Sequence, residues 1–466
     1  MRNFFFLLVF VSACCLRSNA RIELPAIIGN GMVLQQRSSV PVWGKAKANH
    51  VVKIKPSWEA HTYSVRSDSR GMWRALIKTP AAGGPYTLTF TDDAAIVLKD
   101  ILVGEVWVCS GQSNMEMPMT GYANQPVLNS NDDLVAAGNK FLRLFHVPHA
   151  VSLTPEDDCA GKWEAAAPAS AAGFSAVGFR FAKRLQELLN VPVGIIQSTW
   201  GGTPIEAWMN KESIQLFGGR TITLPAGAEK PDRLKPTCLY NGMISPVQGY
   251  GIKGFLWYQG EANVPRPSEY AQLMQLMVNG WRKTWQDDSL FFYYVQIAPW
   301  HYGARKDSTP YLREAQYNAM TRIPNSGMVV SMDKGSATTI HPPDKTTISN
   351  RLLYWALGDA YGIKGIAYQS PYFDRMRIKN DTVSLTFKNA ANGLFSTGTA
   401  IAGFEVAGKD KKFFPATARI FKKAVLVKSE NVKEPLAVRY AFTDLVEGNL
   451  YNTEGLPVAP FRTDNW

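Results

Sequence analysis

The stretch Glu105-Val-Trp-Val-Cys-Ser-Gly-Gln-Ser-Asn-Met-Glu116 is an apolar, strand-like segment that stops abruptly at Gly111 and hands Ser113 to the solvent side. A serine hydroxyl is a poor nucleophile unless a base takes its proton and fixed donors receive the oxyanion. The surrounding sequence is therefore read for a scaffold, a base and a set of donors.

Further strand-like runs follow: Val193-Gly-Ile-Ile-Gln-Ser198, Phe255-Leu-Trp-Tyr258, Phe291-Phe-Tyr-Tyr-Val-Gln-Ile297 and Met328-Val-Val-Ser331. Helical faces fill the gaps. One carries Phe174, Val177, Phe181, Leu185 and Leu188; another Tyr270, Leu273, Met274, Met277 and Trp281; a third Ile348, Leu352, Leu353 and Ala356. Strands alternating with helices of this length imply an α/β unit, a parallel sheet covered on both faces with its ligand site at the carboxyl ends of the strands. Ser113 falls there. Residues 21–104 instead alternate short β-branched and aromatic runs with turn residues, as in Ser39-Val-Pro-Val-Trp-Gly44, and predict a β-sandwich; residues 366–466 predict a second β-rich unit. The expected catalytic unit spans 105–365.

The length of 466 residues is consistent with about three domains. Hydrophobic residues make up 46% and charged residues 19%, with 13 Trp and 18 Tyr, which excludes a disordered chain and leaves aromatic side chains for grooves. The net charge of +12 comes from Lys and Arg spread along the chain without a basic block, so no nucleic-acid partner is expected, although an acidic ligand would suit such a field. Residues 1–20 show a charged start, the short apolar core Phe4-Phe-Phe-Leu-Leu-Val-Phe-Val11 and a small-residue end at Ala20, the pattern of a secretory signal. Val11-Ser-Ala-Cys14 also resembles a lipoprotein box, which would anchor the chain through Cys14. Both readings predict an exported protein that is periplasmic, secreted or outer-membrane-associated, with no transmembrane span. Beyond that segment only Cys109, Cys159 and Cys238 are left, too few for a disulfide scaffold and without metal-ligand spacing.

No Gly-x-Ser-x-Gly elbow occurs, so Ser113 in Gly111-Gln-Ser-Asn114 is not an ordinary α/β-hydrolase nucleophile, and taken alone it reads as a turn serine. Its company changes that reading. A second strand end carries Gln197-Ser-Thr-Trp-Gly-Gly-Thr-Pro204, whose glycines let backbone amides approach a ligand, and a third carries Trp257-Tyr-Gln-Gly-Glu-Ala-Asn263. The base has to come from six histidines. His50 and His61 lie in the N-terminal β unit, His146 and His149 in a loop segment; His301 is a reserve; His341 in Thr338-Thr-Ile-His-Pro-Pro-Asp-Lys345 precedes a helix on a loop stiffened by two prolines. Gly249-Tyr-Gly-Ile-Lys-Gly254 satisfies a dinucleotide pattern formally but precedes a strand, so it is assigned to a turn, and neither metal nor nucleotide cofactor is expected.

These blocks, in this order, resemble the SGNH hydrolases and within them the sialate O-acetylesterase family; the likeness extends through Tyr240-Asn-Gly-Met-Ile244 to Pro460-Phe-Arg-Thr-Asp-Asn-Trp466. The resemblance implies a flavodoxin-like three-layer α/β/α hydrolase domain. It makes Ser113 the nucleophile, His341 the base and then acid, and the Ser113 amide, Gly201, Gly202 and Asn263 the oxyanion donors. Gln112, Trp200, Asn241 and Gln259 become candidate substrate contacts. Many SGNH enzymes place an aspartate two or three residues before the histidine, where this chain has Thr338 and Thr339. Glu261 is the first candidate for the orienting acid, by similarity to acetylxylan esterases, and Asp333 the second. The implied activity is cofactor-free removal of O-acetyl groups from a sialic acid, with acetylated xylan or another plant glycan as the rival substrate and a non-catalytic glycan-binding protein as the rival class.

Overall fold

The expected strands owe their burial to where their hydrogen-bond partners come from. In a computed structural model that describes residues 22–466 except 228, 306 and 447, six strands form the parallel centre of a mixed sheet: β1 (Ala95–Gly111), β2 (Asn139–His146), β3 (Val193–Thr199), β4 (Gly254–Tyr258), β5 (Phe291–Val295) and β6 (Ser326–Val329). Their order is β6-β5-β4-β1-β3-β2, each neighbouring pair parallel, with Trp163–Ala166 antiparallel against β2 at the edge. The segment expected to be a signal, residues 1–20 with Cys14, lies outside the described residues.

Five helices matter to the site: α1 (Ser113–Glu116), α2 (Ala176–Leu189), α3 (Pro267–Trp285), α4 (Thr309–Met320) and α5 (Lys345–Trp355). Because strand side chains alternate faces, the sheet builds two cores. Trp107, Cys109, Ile195, Leu256 and Tyr293 pack with Phe181, Leu185 and Leu352 of α2 and α5. Val108, Ile196, Phe255, Trp257 and Phe292 pack with Met277, Trp281 and Leu312 of α3 and α4. The three helical faces read from the sequence are buried, except that Leu188, in the last turn of α2, is 48% exposed. No described helix is long and apolar enough to cross a membrane.

Strand β1 changes character along its length. From Ala95 to Asp100 burial alternates and from Ile101 to Gly111 every residue is buried; the antiparallel pairing with Gly83–Thr91 runs on to Val103, while parallel partners, Val33–Gln35, β3 and β4, take over from Leu102. The domain boundary expected at residue 104 therefore falls inside one strand. No linker is needed, since the ladder passes directly from one set of partners to the next. Glu105, at the changeover, is buried and accepts hydrogen bonds from Gln35 Nε2 (3.0 Å), Gln36 Nε2 (2.7 Å) and Tyr361 Oη (2.9 Å). These bonds tie the N-terminal β strands to the central sheet.

The last hundred residues are β-rich, with two four-stranded sheets and a small pair, Leu394–Ser396 with Leu450–Asn452. Buried Arg313 on α4 fastens them, donating to the carbonyls of Thr443 (2.5 Å) and Asp444 (2.7 Å). Cys109, Cys159 and Cys238 are free thiols.

Gly111 ends β1 at φ 137°, and a Cβ there would lie 2.2 Å from the Tyr258 carbonyl oxygen of β4. Both the backbone angle and the contact exclude a side chain. Gly111→Ala is expected to cost roughly 2–4 kcal/mol of stability, read as a clear fall in thermal midpoint; an unchanged midpoint would refute the close approach.

Candidate active site

Three strand ends meet at Ser113. The chain turns after Gly111 and Ser113 opens the short helix α1, where its own N–H has no acceptor among the described residues, as expected at a helix start. The Gln112 N–H donates to the Tyr258 carbonyl (3.0 Å), and the Trp200 N–H, just past β3, donates to the Gly111 carbonyl (3.1 Å). The N–H groups of Gly260 and Ala262, past β4, both donate to Gln112 Oε1 at 3.3 Å. The loops are thus hydrogen-bonded into one floor, at the point of the sheet where the chain changes direction on either side of β1.

A fourth loop, between β6 and α5, brings His341. Its Nε2 stands 2.7 Å from Ser113 Oγ, and its Nδ1 stands 2.5 Å from Gln125 Oε1. The Gln125 carbonyl oxygen also accepts from Thr339 Oγ1 (2.9 Å), and Thr339 Oγ1 accepts the His341 N–H (3.1 Å). A carboxamide oxygen can only accept, so Nδ1 carries the proton and Nε2 keeps a lone pair for the Ser113 hydroxyl. Burial first, and then the nearby Lys345 ammonium, push His341 down to about 4. The imidazole is therefore neutral at pH 7, the form a base requires.

Neither carboxylate expected to orient His341 does so. Glu261 is buried and its Oε1 accepts from Asn114 Nδ2 (2.7 Å), on the far side of the nucleophile turn; burial pushes its carboxyl above the ordinary value. Asp333 is spent on α5, receiving both NH1 and NH2 of Arg351 at 2.7 Å. The orienting acceptor is Gln125 instead. His301, the reserve base, is largely exposed, with Asp444 as its carboxylate neighbour at 4.0 Å.

The oxyanion donors also sort differently from expectation. The Gly201 N–H donates to Glu116 Oε2 (2.6 Å), so that donor is taken. Asn263 Oδ1 accepts from Ile205 N–H (2.9 Å) and Gln259 Nε2 (2.8 Å), while Nδ2 gives one hydrogen to Glu206 (2.9 Å) and keeps a second. Among the described residues the amides of Ser113 and Gly202 and that second Asn263 hydrogen have no acceptor. They are the donors open to a tetrahedral oxyanion.

Of the four side chains expected to touch substrate, three are spent on the protein itself. Gln112 bridges loops, Gln259 accepts Tyr270 Oη (2.7 Å) and donates to Thr203 O (3.1 Å), and Asn241 donates to Ser152 O (3.2 Å); all three are buried. Only Trp200 presents surface. Its ring stacks on His149 (4.0 Å between centroids, 5° between planes), with the Arg233 guanidinium 5.9 Å from its centre. His149 in turn meets Glu116 Oε1 at 2.6 Å. Gln125, Glu116 and Tyr122, whose hydroxyl donates to the Ser113 carbonyl (3.2 Å) and to Glu116 Oε2 (3.3 Å), were not found by sequence reasoning, and His149 was set aside as a loop residue, because each acts through a contact that no local spacing announces. Glu116 was in view within the serine block, but nothing in the block shows that it faces the Gly201 turn.

The chain is similar to known carbohydrate esterases. Residues 103–353 match the family described as "Carbohydrate esterase, sialic acid-specific acetylesterase". The chain is 26% identical to a sialate O-acetylesterase of Rattus norvegicus, over 98% of this chain and 96% of that one, and 29% identical to a sialate O-acetylesterase of Homo sapiens, over 83% and 78%. Among solved structures, a carbohydrate acetylesterase from Xanthomonas citri is 36% identical with a TM-score of 0.87, covering 96% of this chain and all of that one.

Removing the acceptor in Gln125→Ala should leave the imidazole free to adopt the wrong tautomer and lower kcat/KM by roughly 10²–10⁴-fold. Gln125→Glu should retain activity but place a carboxylate against Nδ1–H, which favours imidazolium. The base then protonates at higher pH, so the acid limb of the kcat/KM profile should move upward. A limb that stays in place or moves down would remove Gln125 from its position.

Proposed function

Because the chain belongs to the carbohydrate esterase family of sialic acid-specific acetylesterases, and is thereby an ester hydrolase, we propose that it removes O-acetyl groups from sialic acids through an acetyl-enzyme on Ser113. The observation that carries the mechanism is the 2.7 Å contact between Ser113 Oγ and His341 Nε2, with Nδ1 held by Gln125. His341 takes the hydroxyl proton as Ser113 attacks the acetyl carbonyl, and the open amides receive the oxyanion. The imidazolium then gives its proton to the departing sugar oxygen. Water, deprotonated by the same nitrogen, attacks the acetyl-enzyme and releases acetate, returning Ser113 and neutral His341. With this reading goes the flavodoxin-like three-layer α/β/α arrangement of SGNH hydrolases for the catalytic unit.

A second reading keeps the chemistry and changes the sugar. The Xanthomonas citri relative is described as a carbohydrate acetylesterase with no sugar named, a description that fits acetylated xylan or another plant glycan as well as a sialic acid. A purely glycan-binding role does not fit a chain of this esterase family with the serine and histidine in contact.

Acetate release from O-acetylated sialic acid and from acetylated xylan tests both readings. The expected result is release that prefers the sialic acid and disappears in Ser113→Ala. Preference for xylan would move the substrate and keep the mechanism; release that survives in Ser113→Ala would overturn the mechanism.

A further inference from the structure

Directly behind the Ser113–His341 contact lies a buried polar group that the hydrolytic steps leave unused. Asn114, next to the nucleophile, is fully buried, and its carboxamide reaches three segments at once. Nδ2 donates to Glu261 Oε1 (2.7 Å) and to the carbonyl of Ile340 (3.1 Å), the residue before His341; Oδ1 accepts from Lys345 Nζ (2.6 Å), on the first turn of α5. Lys345 is 1% exposed and its ammonium lies 5.8 Å from the centre of the Tyr258 ring. An ammonium is costly to bury. An uncharged donor could hold Asn114 Oδ1 equally well, so the positive charge itself needs a reason.

We infer that Lys345 is a positioning residue for the hydrolysis, fixing Asn114 between the serine turn and the histidine loop and setting a buried positive charge behind that loop. The inference rests on the serine–histidine reading above. Around Lys345 stand Glu261 from the turn after β4, Arg180 from α2, Asp344 from its own loop and Tyr258 from β4. Lys345 reaches the histidine loop through Asn114, which also holds the Ile340 carbonyl, while His341 itself meets the Tyr122 ring edge and the uncharged Gln125, with no carboxylate hydrogen-bonded to it among the described residues.

The direction of each titration supports the second role. Burial pushes Lys345 down to about 7, so it is charged below neutrality, the range where an ordinary histidine gains its proton. Burial moves Glu261 the other way, so this carboxylate loses its charge earlier on acidification than an exposed one would. As the pH falls, positive charge behind His341 therefore grows and opposes a further proton on the ring.

The test is the pH profile of kcat/KM for p-nitrophenyl acetate across roughly pH 4 to 9, in the full chain, with thermal unfolding of every variant. Lys345→Gln keeps a donor for Asn114 and removes the charge; its plateau should stay within about tenfold of wild type while the acid limb rises by ~0.5–1 pH unit. Lys345→Met removes both, so the same rise should accompany a plateau lowered by roughly 10²-fold. In Glu261→Gln, which keeps an acceptor for Asn114 and leaves the lysine unopposed, the limb should hold or move down. An unmoved limb in folded Lys345 variants, or a rise in Glu261→Gln, would overturn the inference. Activity persisting in Ser113→Ala would instead overturn the serine–histidine reading on which it rests.

Discussion

The site depends on a missing side chain. At Gly111 the backbones of β1 and β4 approach so closely that a Cβ would stand 2.2 Å from the Tyr258 oxygen. That approach lets the Gln112 N–H reach the same carbonyl and turns the chain so that Ser113 starts a helix with its amide free. Gln112 then bonds the loop after β4, and the Gly111 carbonyl receives the amide of Trp200 from the loop after β3. A nucleophile, its donors and their supports are fixed together by one glycine whose φ of 137° other residues rarely adopt.

The histidine is handled in an unusual way, and the chemistry of the reaction makes sense of it. A carboxylate at Nδ1 would raise the basicity of the imidazole; a glutamine fixes the same tautomer without doing so. With burial and a lysine cation pushing in the same direction, His341 becomes a weak base whose conjugate acid is strong. Deprotonating Ser113 is then harder, but protonating the departing sugar oxygen is easier, and an alkoxide is a poor leaving group that needs that proton. The balance favours the half of the reaction in which the carbon–oxygen bond breaks.

Much of this was legible in the sequence, and the limits have physical causes. The continuous apolar runs of β1, β3, β4 and β5 announced strands buried on both faces, and the different pattern of residues 21–104 announced a separate β unit. The expected boundary at residue 104 coincides with no break in the backbone, because one strand can pass from antiparallel to parallel partners without interruption. Ser113 and His341 could be read from their blocks. Gln125 could not: it reaches His341 across 216 positions from a turn-rich segment, and any polar side chain in that segment was an equal candidate. Glu261 came first as the orienting acid by similarity to acetylxylan esterases; it is close to the site, but its hydrogen bond goes to Asn114.

The same distinction between supporting and exposed groups bears on specificity. Gln112, Asn241 and Gln259 lie in the blocks that most resemble the family, yet all three are buried, and Gln112 Oε1, Asn241 Nδ2 and both ends of the Gln259 carboxamide are bonded to the protein itself. Turning any of them toward a sugar would break bonds that hold the floor together, at the cost of an unpaired buried group. What faces outward is the half-buried Trp200 with exposed His149 and Arg233 around it, beside the open amide of Gly202. An aromatic face with cationic and ring neighbours can pack against a sugar ring, and it lies two residues from the open amide of Gly202. The acetyl group is thus handled by a floor shared by both substrate readings, and the choice between a carboxylated and a neutral sugar has to be made at this rim.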